Sequence, residues 1–112
     1  LRTLLGEADF SRGMTRFFET CDGTAATVED FLAAFAAVSG RDLSHFARWY
    51  SQAGTPELIC ELKYDAAAQT ATLTVNQSLS PTPGQPKKEP LYIPLRLGLL
   101  GPNGHDLTLQ LD

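Results

Sequence analysis

Imidazoles, thiols and paired carboxylates are where chemistry would start, and this 112-residue sequence spaces them poorly for it. A hydrolytic zinc site of the H-E-x-x-H kind needs two histidines one helical turn apart, so that both rings reach one metal while the glutamate acts as base. The two histidines here, His45 and His105, lie far apart in the chain and no such motif occurs. A mixed site from Cys21, His45, Cys60 and His105 lacks every short interval that pre-arranges ligands around a metal. Asp42, Ser44 and His45 supply the residue types of a nucleophilic triad. As near neighbours on one helix they cannot take up its geometry, and the G-x-S-x-G turn is missing. "GLLGPNG" carries glycines like those of a phosphate loop but sits between two strand patterns, so it reads as a hairpin turn. Glu29 and Asp30 fall in the first turn of a helix, where the dipole favours carboxylates. The residues thus nominate no catalytic, cofactor-binding or metal-ligating side chain.

One cluster remains. "ARWYSQAGTP", residues 47–56, sets Trp49 and Tyr50 beside Gln52 and then stops at Gly54-x-Pro56. An aromatic pair next to an amide suits a ligand site, and it equally suits a helix end pinned against the next element. Tyr50 continues an apolar stripe of Leu43, Phe46 and Ala47, and Trp49 follows Phe46 by three residues. The favoured reading is a joint, with the Trp49 ring buried between helix and sheet. Lys87 and Lys88 of "PKKEP" read as a solvated loop.

The elements that would position this joint follow from periodicity. Leu1, Leu4 and Leu5 keep helical spacing until Gly6 stops them. Phe10, Met14, Phe17, Phe18 and Cys21 mark a second helical stretch over about residues 7–21. Thr27 with Asp30 three residues on caps a helix whose buried stripe is Val28, Phe31, Leu32, Phe35 and Val38, and Gly40 ends it. Asp42 caps a third helix through Tyr50. After Pro56 the period falls to two. Leu58, Cys60, Leu62 and Tyr64 share one face of a strand, and Ala71, Leu73, Val75 and Leu79 share one face of the next, with "DAAAQ" as the hairpin loop. "SPTPGQPKKEP" holds four of the seven prolines and cannot enter a sheet interior. A strand with Leu91, Ile93, Leu95, Leu97 and Leu99 on one face follows. After the "GPNG" turn comes a last strand with Leu107, Leu109 and Leu111. Four strands with one apolar face amount to half a sandwich, so the chain reads as α+β with an incomplete antiparallel sheet. The truncated first helix and the final strand pattern suggest a piece of a longer polypeptide.

Composition sets outer limits. Hydrophobic residues make up 43% and charged residues 20%, as in an ordinary globular domain. The net charge is −4, with no basic face to hold a phosphate backbone, which argues against nucleic acid. No run approaches the ~18 apolar residues of a membrane span. Cys21 and Cys60 read as small buried hydrophobes in a reducing, cytoplasmic setting, with a single bridge as the other reading.

The segments "RTLLGEADFSRGM", "DGTAATVEDFLAAF", "DLSHFARWYSQAGTP" and "SPTPGQPKKEPLYIPLRLGLL" occur in the order seen in bacterial aminopeptidase N. The sequence resembles that family of zinc gluzincin alanyl aminopeptidases over nearly all its length. The resemblance implies a specific architecture. Residues 1–54 would be the helical C-terminal part of a thermolysin-like catalytic domain, and residues 55–112 the N-terminal part of an Ig-like β-sandwich. It also implies a parent enzyme that releases N-terminal amino acids from peptides with zinc held outside this stretch. The family's metal-binding motif, its substrate-binding segment and its catalytic tyrosine match nothing here, so no site residue carries over; Tyr50 and Tyr64 do not match that tyrosine. The chain itself would be structural, metal-free and inactive, with the rest of the same polypeptide as its partner, or self-associating if left alone. A free-standing β-sandwich interaction module with a helical cap, using the proline loop as a binding edge, is the competing reading.

Overall fold

A computed structural model describes residues 1–109. Its order of elements is helical first and stranded after, in agreement with the α+β expectation. Helix α1 spans Arg2–Cys21 and is broken at Gly6, whose φ of 80° and ψ of 171° lie outside the helical region. Only glycine adopts that backbone without strain, so the sequence stop and the break coincide. Helix α2, Val28–Ser39, starts from a complete capping box. The Asp30 amide donates to Thr27 Oγ1 at 3.3 Å, and the Thr27 amide donates to Asp30 Oδ2 at 2.9 Å. Two amides that a helix start would leave without partners are thereby satisfied. Gly40 closes α2 in the left-handed conformation.

The two helices pack through aromatic rings. Phe35 is fully buried and lies 5.3 Å from Phe10 and 4.7 Å from Phe31, centroid to centroid. Phe31 in turn meets Phe17 edge-on at 5.2 Å. Leu5, Leu32, Leu43 and Phe46 complete the core, with Leu4, Met14 and Ala47 packed against it. The close approach depends on Gly13. A Cβ there would overlap the Phe35 ring, lying only 2.8 Å from its Cγ.

The third helix is shorter than its periodicity predicts. Residues 44–47 form turns and α3 covers only Arg48–Ser51. Its first amides bond three residues back, Trp49 to Phe46 at 3.1 Å and Tyr50 to Ala47 at 3.0 Å. The next bond, Gln52 amide to Arg48 O at 2.9 Å, is of the α type, so the helix that does form is a single turn. Leu43 and Phe46 are buried as expected, while Tyr50 is exposed.

Strands β1 (Glu57–Asp65) and β2 (Thr70–Ser78) form an antiparallel hairpin. The register pairs Cys60 with Val75, Leu62 with Leu73 and Tyr64 with Ala71, which puts the predicted apolar residues on one face. Asp65 Oδ1 accepts from the amides of Ala67 and Ala68 and shapes the loop. Beyond it the expected four-stranded sheet gives way to a second, separate hairpin of β3 (Leu99–Leu100) and β4 (Asp106–Leu107). The "GPNG" turn closes it, with the Gly101 amide donating to His105 O at 2.9 Å. The long strand expected from Leu91 is not formed before Leu99, and Leu111 lies outside the described residues. No described helix is long and apolar enough to cross a membrane.

Replacing Gly13 with alanine should destabilise the helical pair by about 2 kcal/mol, because overpacking outweighs the gain in helix propensity. Urea unfolding of the 112-residue chain, followed by far-UV circular dichroism, measures this. An unchanged or raised midpoint would mean that the two helices are not in such close contact.

Candidate functional site

The Trp-Tyr-Ser-Gln stretch turns its polar side chains toward the main chain of the proline-rich segment, residues 80–92, which crosses it as a strap. Trp49 Nε1 donates to Tyr92 O at 2.8 Å. Arg48 Nη1 donates to Pro90 O at 2.9 Å, and His45 Nε2 lies 2.9 Å from the same oxygen. A carbonyl can only accept, so the His45 ring carries its proton on Nε2. Gln52 makes a two-way contact with one residue: its Nε2 donates to Glu89 O and its Oε1 accepts from the Glu89 amide, both at 2.8 Å. From the end of β2, Gln77 does the same to Leu91, donating at 2.9 Å and accepting at 2.7 Å. Leu91 is 3% exposed, less than any other described hydrophobic residue outside the helices.

The other end of the strap is tied by Gln85 and Lys88. Gln85 Oε1 accepts from the Ala53 amide at 2.8 Å, and Gln85 Nε2 donates to Ser51 O at 3.0 Å. Lys88 Nζ reaches Ala53 O at 2.8 Å, Gln85 Oε1 at 2.9 Å and Thr82 Oγ1 at 2.5 Å. These contacts explain why no strand starts at Leu91. The amide and carbonyl of Glu89 and Leu91, and the carbonyls of Pro90 and Tyr92, are already taken by side chains, which leaves residues 89–92 little to offer a ladder.

One expectation needs correcting: Trp49 is 38% exposed rather than buried between helix and sheet, and its indole N–H donates to the strap. Lys88, read as solvated, is a part-buried tie; Gln77 and Gln85 carried no signal beyond being amides beside a strand end and a proline turn.

The other candidates stay scattered. Ser44 donates to Asp42 through both its amide (2.8 Å) and its hydroxyl (3.0 Å), forming a turn rather than a relay, while His45 is occupied by Pro90. Those two hydrogen bonds hold the Asp42 carboxyl below its ordinary range. An open pocket of about 420 Å³ lies beside it, lined by Leu4, Arg41, Asp42, Leu43, His45, Phe46 and Tyr92. Cys21 and Cys60 are unpaired, and Cys60 is exposed on the hairpin instead of buried, because nothing described covers that face. Among the described residues no group of three His, Cys, Asp or Glu side chains is placed to hold a metal ion, so the side chains described do not fit a zinc site.

Residues 54–111 match the family described as a domain of unknown function (DUF3458) with an Ig-like fold. The chain belongs to this Ig-like family. Similarity reaches beyond the Ig-like stretch. The chain is 44% identical to Aminopeptidase N of Escherichia coli over 110 residues, which is 98% of this chain and 13% of the relative. It is 47% identical to Aminopeptidase N of Haemophilus influenzae over the same shares. It is 54% identical to Aminopeptidase N of Caulobacter vibrioides over 72 residues, 64% of this chain and 8% of the relative. The resemblance read from the residue patterns is borne out, and the chain spans about an eighth of the length of the first two curated relatives. The Ig-like match opens at Gly54, so hairpin and strap lie within it while His45, Arg48, Trp49 and Gln52 precede it.

Changing Gln77 to alanine should cost about 2 kcal/mol, because it strands the amide and carbonyl of a buried residue. Trp49→Phe keeps an aromatic ring, though a smaller one, and loses one hydrogen bond at a half-exposed position, so about 1 kcal/mol is expected. Chemical denaturation of both variants ranks them. The reverse order would show that the Trp49 ring, not its N–H, holds the strap.

Proposed function

We propose that the chain is part of a zinc aminopeptidase that releases N-terminal amino acids from peptides, and that its own role there is structural. Residues 1–54 would close the catalytic domain and residues 55–112 would open the Ig-like β-sandwich. The likeness to three bacterial Aminopeptidase N sequences supports the parent activity. One observation carries the structural role: Trp49, Gln52, Arg48 and His45 spend their polar atoms on the strap's main chain instead of presenting them to a cavity. The zinc, its ligands and the general base would come from elsewhere in the same polypeptide, which is also this chain's main partner. Two unpaired cysteines fit a reducing, cytoplasmic location.

In the long enzyme, Gln52→Ala should lower Tm by about 2–4 °C while KM for an aminoacyl-anilide stays unchanged. Normal melting with a large rise in KM would move this stretch into a substrate site. The 112-residue chain alone should hold no stoichiometric zinc and cleave no such substrate. One tightly bound zinc per chain, lost on changing His45 or Cys60, would overturn that.

We also propose that the chain on its own self-associates. Leu58, Leu62, Tyr64 and Leu73 are exposed together on one face of the first hairpin, and neither outer edge of that hairpin is paired among the described residues. Such a surface draws in another apolar layer or strand. Analytical ultracentrifugation should show association that Leu62→Lys weakens. A sharp monomer boundary at high concentration would count against it.

A further inference from the structure

The strap is fastened by atoms that serve more than one partner. Gln85 Oε1 receives both the Ala53 amide and Lys88 Nζ, and Lys88 Nζ also holds Ala53 O and Thr82 Oγ1. Gln85 and Thr82 bond each other's main chain in both directions, at 2.9 and 3.2 Å. Further along, Gln52 and Gln77 each offer a carboxamide as a substitute peptide group, engaging the amide and carbonyl of Glu89 and of Leu91. These are alternate residues, the ones a neighbouring strand would bond along one edge. Pro90 and Tyr92, the alternate pair between and after them, go to His45, Arg48 and Trp49. Loss of Gln85 removes the acceptor shared by Ala53 and Lys88, and Lys88 is bonded in sequence to Glu89, the residue Gln52 holds, so a change at one end reaches the next tie through the chain.

We infer that residues 82–92 form a latch that opens and closes as one unit, clasping residues 48–53 to the end of β2. The start of the Ig-like match at Gly54 is then not a mechanical boundary: the last helical residues move with the strap, and the angle between helical pair and hairpin is either held or released. The latch stands on its own hydrogen bonds. Only its use in fixing two domains relative to each other rests on the joint reading, and that reading fails on KM rather than on the measurement below.

Three amides report on it, each with a side-chain acceptor: Ala53 on Gln85, Glu89 on Gln52 and Leu91 on Gln77. Native-state hydrogen exchange of the unmodified chain, followed by NMR at rising low concentrations of denaturant, should bring all three onto one opening isotherm. Gln85→Ala, which directly touches only the first, should speed exchange at all three by about tenfold or more. The amide of Gly40, bonded to Ala36 O in the helical pair, should keep its protection. Lys88→Met, which touches no reporter's acceptor group except through Gln85, should act alike. Separate isotherms, or acceleration confined to Ala53, would overturn the latch. If a variant also loses Gly40 protection, the unmodified chain's isotherms decide the matter.

Discussion

A buried carbonyl or amide must find a partner, and proline-rich main chain cannot find one in a sheet ladder. The segment from Ser80 to Tyr92 carries this constraint into the middle of the chain, with Leu91 at its deepest point. The solution is to bring the partners as side chains. Two glutamines, a tryptophan, an arginine and a histidine supply what a neighbouring strand would have supplied, while Gln85 and Lys88 of the strap itself reach out to Ser51 and Ala53. The absence of a strand at residues 89–92 follows from that arrangement, since their main-chain groups are engaged by side chains.

The contacts that fasten the strap are mostly neutral. The ion pairs Arg2–Glu7, Arg12–Asp9 and Lys63–Glu61 lie elsewhere and are solvent-exposed, where such pairs contribute little. The apolar core is equally one-sided, since all buried hydrophobic residues described except Leu91 belong to the helical half. The stranded half is held to it by directional polar bonds rather than by shared burial. Hydrogen bonds lose strength steeply with misalignment, whereas apolar contacts tolerate sliding. Bonds of this kind give the junction a defined geometry.

Much of this was legible in the sequence where one local rule acts alone. The stop at Gly6, the capping box at Thr27 and Asp30, the close of α2 at Gly40 and the two-residue period of β1 and β2 each depend on near neighbours, and each is present. The Ig-like character and the kinship with aminopeptidase N were legible from ordered segments and are supported by the family match and the relatives. The errors arise where a distant segment overrides a local pattern. Leu91 to Leu97 alternate like a strand, but their first residues are engaged by side chains from residues 45–52 and 77. Trp49 and Tyr50 continue a helical stripe, but the helix there is only one turn long and both side chains stay exposed. Gln77, Gln85 and Lys88 are invisible in this respect, since an amide or amine states nothing about which distant carbonyl it will meet.

The contact of Gly13 with the Phe35 ring also sets a scale along the helix axes. One turn of sliding, about 5.4 Å, would carry the ring from the glycine to the position of Asp9 or of Phe17. The first would bury a carboxylate already bonded to Arg12, and the second would drive two aromatic rings into the same space. Neither neighbour offers a second resting place. The glycine therefore works as a notch on a ruler: it fixes how far α1 is advanced against α2, and with it where Leu43 and Phe46 lie. The point from which the chain departs toward the strap is thus measured out by an absent side chain.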